Sequence, residues 1–130
     1  MEFQYIKQNS FEQRYLESFK LKQKNPNLLP IIIEQNMPKY IFEKSKNPEK
    51  LQKFQKIAVN KTLSVEMLLE QLRQKYQEFV GHQGSLYFIV GRNKLLLNFY
   101  NTNCLEDLYQ KYAEKDGWLY LVIKQMECLS

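Results

Sequence analysis

Residues 64–79, SVEMLLEQLRQKYQEF, constrain the fold more than any other stretch of the chain. Apolar side chains fall at Val65, Leu68, Leu69, Leu72, Tyr76 and Phe79. This is the i, i+3, i+4, i+7 spacing that lines one face of an α-helix. Glu66, Glu70, Arg73 and Lys75 take the other side, and the Ser64 hydroxyl is placed to cap the first free amides. A helix of about four turns with a single apolar stripe has to bury that stripe against another layer. The chain offers four short apolar runs for this: 28–34 and 56–59 before the helix, 86–90 and 118–123 after it. The spacing predicts one long helix held against a four-stranded sheet.

The flanking segments fill in the order. Phe3 and Ile6, three apart, leave room for one or two helical turns near the start. Ser10 is placed to cap a second helix over 11–24. Glu12 and Glu17 stand toward its start and Lys20, Lys22 and Lys24 at its end, as the helix dipole favours. Asn25-Pro26-Asn27 stops it. Residues 28–35, LLPIIIEQ, read as a buried strand, with Pro30 demanding an edge or a bulge because it has no amide to donate. Residues 36–53 read as a lysine-rich loop with room for a helical turn at 48–52. Strands are expected at 56–59, 85–90 and 118–124, a loop at 81–84, a tight turn at 91–94 and a brief return pairing at 95–97. A last short helix is expected over 105–112, capped by Thr102 or Asn103. Irregular mixing of helices and strands is an α+β pattern. One domain, 1–130, accommodates it: a helical extension (1–27), a core (28–124) and a short tail (125–130).

Composition excludes several function classes. The net charge of +5 is concentrated in residues 39–61, where seven lysines face only Glu43 and Glu49. Such a patch suits acidic peptides, anionic lipid or nucleic acid. Nucleic acid is the poorer fit, because arginine is scarce and Tyr40, Phe42 and Phe54 are the only aromatic residues in the patch. A small basic domain using 39–61 against nucleic acid or anionic lipid is the alternative to the reading below. Cys104 and Cys128 are too few for a disulfide framework or a zinc site, and with no signal-like start a cytoplasmic setting is expected. The longest apolar run, 118–123, falls far short of the roughly 20 residues of a membrane helix. Membrane contact is then peripheral or through a covalent anchor. The single His82 and four scattered glycines supply no catalytic constellation and no phosphate loop. Cys104, close to a helix start where a thiolate is favoured, reads as a packing residue. No enzyme, metal or cofactor is expected.

Five motifs carry a resemblance: Phe11-Glu12-Gln13-Arg14, Glu17-Ser18, Pro30-Ile31-Ile32-Ile33-Glu34, Leu63-Ser64-Val65 and Asp116-Gly117-Trp118-Leu119-Tyr120. In this order they resemble the autophagy-related ubiquitin-like modifiers of the GABARAP type. The resemblance spans most of 11–120, with an insertion in the lysine-rich loop and a looser match at 95–103. It implies a ubiquitin-like β-grasp, a four-stranded mixed sheet around a central helix with two extra N-terminal helices. It also implies a non-enzymatic module that docks acidic aromatic-x-x-aliphatic peptides of autophagy receptors and adaptors by strand addition. Carried over position by position, an aromatic pocket would use Glu17, Leu21, Pro30, Ile32, Lys56, Ala58 and Trp118. An aliphatic pocket would use Ile57, Val59, Leu63, Leu68 and Leu72, and Lys56, Arg73 and Lys75 would meet the peptide's acidic residues. The family's processing and conjugation enzymes are further implied partners, and autophagosomal or vesicle membrane an implied location. This chain departs from the family pattern at Ala58 (usually a larger leucine), Trp118 (phenylalanine), Asn60 (proline) and Gln71 (aliphatic). It departs again at Ser130, where the family's conjugated glycine would stand, so no conjugation site is evident.

Overall fold

A computed structural model describes residues 3–36, 54–80, 84–91, 95–97 and 104–127. Its elements are α1 (Gln4–Gln8), α2 (Phe11–Lys24), β1 (Leu28–Asn36), β2 (Phe54–Asn60), α3 (Val65–Val80), β3 (Gly84–Val90), β4 (Leu95–Leu97), α4 (Leu105–Tyr112) and β5 (Leu119–Glu127). The strands form one mixed sheet in the order β2-β1-β5-β3-β4. β1 runs parallel to β5, and the other pairs are antiparallel. The four expected strands are all present, and the brief return at Leu95–Leu97 adds a fifth on the far edge. This is the α+β β-grasp with two N-terminal helices.

Side-chain alternation sorts the sheet into two buried faces. Leu29, Ile31 and Ile33 of β1 and Leu119, Leu121 and Ile123 of β5 pack with Val65, Leu68, Leu69 and Leu72 of α3. Ile32 of β1, with Trp118, Tyr120 and Val122, packs on the opposite side with Phe3 and Tyr5 from the N-terminal segment. A sheet covered on both faces needs apolar residues at every position, which explains why 28–33 and 118–123 read as continuous runs rather than alternating ones. The polar exception is Glu34, 5% exposed, whose carboxylate accepts the first amide of α1 from Gln4 at 2.9 Å.

Caps fix where the helices begin. The Ser10 hydroxyl accepts from Gln13 N, and the Gln13 side chain accepts from Ser10 N, a complete capping box. The Ser64 hydroxyl accepts from Met67 N at 3.1 Å, as the sequence predicts. The cap of α4 differs from expectation. Its N-cap position is Cys104, with no side-chain bond, and its leading amides are met by backbone instead: Leu105 N donates to Leu63 O and Glu106 N to Lys61 O.

Pro30 sits inside an interior strand, yet its missing amide is harmless. Lys61 N donates to Asn27 O, so odd-numbered positions of β1 direct their backbone groups at β2 and even-numbered ones at β5. The β1–β5 ladder starts only at Ile31 and Leu119, one residue beyond Pro30. The expected edge is therefore local, one side of one residue. β5 continues to Glu127, into the segment expected to be tail. The expectations for 37–53, for the loops around His82 and Arg92, for Cys128, for the side chains of Tyr76 and Phe79, and for Ser130 lie outside the described residues.

Candidate functional site

Among the described residues β2 ends the sheet, paired with β1 on its inner side. Its residues alternate about that edge. Lys56 and Ala58 are exposed and face the N-terminal helices, while Ile57 and Val59 are half-buried against the core under α3. One edge strand thus separates two surfaces of different chemistry.

On the first surface a pocket of about 450 Å³ opens between β2 and α2, lined by Glu17, Lys20, Leu21, Lys24, Lys56, Ile57, Ala58 and Trp118. Trp118 forms its floor. Trp118 is almost wholly buried, and its indole Nε1 donates to the backbone oxygen of Arg14 at 2.8 Å. Tyr5 meets Trp118 edge-on at 5.4 Å and holds it from behind. Lys56 and Glu17 join across the mouth at 3.1 Å, and the Lys56 ammonium also lies 5.9 Å from the Tyr5 ring centre. Both side chains are partly exposed, at 47% for Lys56 and 38% for Glu17, so the bridge is worth roughly 0–1 kcal/mol and can be exchanged for another ion pair at little cost.

The pocket is built on a buried polar lock. Arg14 Nε pairs with Asp116 at 2.9 Å, while its terminal nitrogen donates to Asn9 O at 2.7 Å. Asp116 also accepts from Trp118 N at 3.0 Å and from the Tyr120 hydroxyl. Ser18 Oγ donates to Asp116 O at 2.6 Å, and the Tyr109 hydroxyl donates to Gly117 O. Gly117 has φ +86°, and a Cβ there would run into Ser18 Oγ. Burial, then the bond to Asp116, push the Tyr120 phenol well above the ordinary tyrosine range. Burial, then the Glu17 charge, do the same to Tyr5, whose hydroxyl is buried without a hydrogen-bond partner among the described residues.

Of the residues expected in the aromatic pocket, Glu17, Leu21, Lys56, Ala58 and Trp118 come together. Pro30 and Ile32 do not line it. They are buried behind it as the direct cross-strand neighbours of Ala58 and Lys56. On the second surface Ile57, Val59 and Leu63 are half-buried over a cluster that includes Leu68 and Leu72, the last two being core residues at 2% and 6% exposure. Arg73 lies on α3 paired with Glu70 at 3.0 Å. Lys75 is on the same helix, its pKa lowered by partial desolvation. Neither residue lines the pocket. Lys20 and Lys24 escaped the sequence reading. Their signal was available, since 17, 20, 21 and 24 are the i, i+3, i+4 and i+7 positions of one face of α2.

No family model matches the chain, and no curated protein matches it significantly by sequence. Among solved structures it is similar to the crystal structure of Trypanosoma brucei ATG8, with a TM-score of 0.73 and 22% identity, covering 100% of both chains. At that identity the likeness establishes the fold, end to end.

Proposed function

We propose that this chain is an autophagy-type ubiquitin-like protein, acting as a docking module and not as an enzyme, that captures acidic aromatic-x-x-aliphatic peptides at the β2 edge. The observation that carries the reading is the conjunction of an outer strand with a pocket beside it, floored by Trp118 and ringed by three lysines. A peptide adding to β2 would gain main-chain hydrogen bonds, and its alternate side chains would fall on opposite faces of the strand. Its aromatic residue would enter the pocket over Trp118. Its aliphatic residue would reach the half-buried patch of Ile57, Val59 and Leu63 over Leu68 and Leu72. Carboxylates preceding the aromatic residue would draw Lys56 away from Glu17 and meet Lys20 and Lys24, and Arg73 and Lys75 of α3 would meet them as well. The likeness to T. brucei ATG8 supports the same reading at the level of fold, and autophagy receptors and adaptors are the partners it implies.

The test is a titration with a peptide of that type, following backbone amide shifts. Shifts should concentrate on Phe54–Asn60, and Lys56→Glu should weaken binding by at least about tenfold. Absence of shifts along that strand at millimolar peptide would falsify the docking assignment.

A further inference from the structure

Behind the pocket floor the Tyr5 ring is fixed from several sides. Its centroid lies 5.4 Å from that of Trp118, 5.7 Å from that of Phe54 and 6.5 Å from that of Tyr120. Lys56 Nζ stands 5.9 Å from the same ring. Packing accounts for the ring but not for its hydroxyl, which is buried and has no hydrogen-bond partner among the described residues. Burial does most to raise the pKa of this phenol, and the charge of Glu17 is the next cause. Glu17 is itself held by Lys56 at 3.1 Å across the pocket mouth. A donor without an acceptor, a carboxylate and an ammonium group thus meet at the edge of the pocket, with one ion pair among them.

We propose that Tyr5 is a positioning residue for peptide capture: when a peptide carboxylate draws Lys56 outward, the Tyr5 hydroxyl takes its place on Glu17. The proposal rests on the docking reading and adds to it what becomes of Glu17. Without the exchange two costs would stand side by side. Glu17 would keep its charge beside an apolar pocket with its cation gone, and the phenol would stay buried without an acceptor. One hydrogen bond removes both, and a bond to a charged acceptor is stronger than one between neutral groups. Water is the weaker competitor, since it gives up bonds to bind Glu17 whereas this phenol gives up none. Lys20 and Lys24, the other cations lining the pocket, are exposed and meet the peptide's carboxylates in the same reading. The exchange holds Glu17 against the pocket wall as Lys56 clears the entrance. It also makes the site selective, because a peptide without acidic residues leaves Lys56 on Glu17 and gains nothing from Tyr5.

The experiment has two arms. Without peptide, Lys56→Met frees Glu17, and the effect of Tyr5→Phe on the urea midpoint at neutral pH is compared in the two backgrounds. Tyr5→Phe should leave the midpoint nearly in place when Lys56 is present and lower it clearly in Lys56→Met. With peptide, calorimetric titration compares an acidic aromatic-x-x-aliphatic peptide with one whose acidic residues are replaced by serine. Tyr5→Phe should weaken the acidic peptide roughly tenfold and the serine peptide much less. In a Glu17→Ala background Tyr5→Phe should add little to either. Equal midpoint shifts in the two backgrounds, or equal weakening of both peptides, would overturn the proposal. Failure of the wild type to bind either peptide defeats the docking reading and, with it, the role in capture. Normal acidic-peptide binding with no coupling in the unfolding arm leaves the docking reading standing and removes Tyr5 from it.

Discussion

Asp116 is 2% exposed and charged, a combination that costs several kcal/mol unless its oxygens are engaged. They are engaged by Arg14, the Trp118 amide and the Tyr120 hydroxyl, which join α2, the turn before β5 and β5 itself. Asp116→Ala would leave Arg14 buried at 12% side-chain exposure without its partner. We expect a loss of about 3 kcal/mol or more, read from the midpoint of urea unfolding. The floor of the pocket should loosen with it, visible as changed Trp118 fluorescence. Gly117→Ala should destabilise by more than ~1 kcal/mol, because the left-handed φ and the collision with Ser18 Oγ act together. A Gly117→Ala protein as stable as wild type would show that the α2–turn packing is looser than described. These two residues explain why motifs a hundred positions apart were both visible in the sequence. Arg14 and Ser18 on one side and Asp116-Gly117-Trp118 on the other are two halves of one lock.

At the level of elements, the helices and strands were readable where one period dominated. The stripe on α3, Ser10 at the head of α2 and the span of α4 needed only local spacing. Strand ends were harder. β2 begins at Phe54 and β5 ends at Glu127, because a neighbouring strand extends pairing past the residues whose own propensity calls for it. The pocket was half legible. Lys56 and Ala58 could be placed by resemblance, but the position of Tyr5 behind Trp118 depends on how α1 folds back over the sheet, which no local spacing encodes. Ala58 gives the sharpest test at this scale. It is exposed and lines the pocket, so Ala58→Leu should leave stability unchanged within ~0.5 kcal/mol while filling part of the cavity. The wild type should bind a tryptophan-containing peptide more tightly than its tyrosine equivalent, and paired calorimetric titrations of the variant should show that order flattened or reversed. An unchanged order would place the aromatic residue elsewhere.

Across the whole molecule, the layer between the sheet and the N-terminal helices is apolar and aromatic, with two phenols inside it. Tyr5 and Tyr120 are 1% exposed, and burial raises both pKa values above the ordinary 10.0. The sign of the linkage follows. Above pH 10 the unfolded chain releases these two protons while the folded chain retains them, so the unfolded state binds fewer protons and stability falls as pH rises. Below pH 10 both states are protonated at these sites and the contribution is complete. Each phenol adds a slope of up to ~1.4 kcal/mol per pH unit. The urea midpoint should therefore hold steady approaching pH 10 and drop above it, and part of the tyrosinate absorbance should appear only as the protein unfolds. Tyr5→Phe removes one phenol together with a buried hydroxyl that has no hydrogen-bond partner among the described residues, so it should flatten the alkaline slope with little loss of neutral-pH stability. Tyr120→Phe should flatten the slope too, but at a cost in stability, since Asp116 loses a donor. If all tyrosines of the folded protein ionise together near pH 10, the N-terminal helices do not seal this layer, and the pocket built on it lacks the rigid floor that the docking proposal requires.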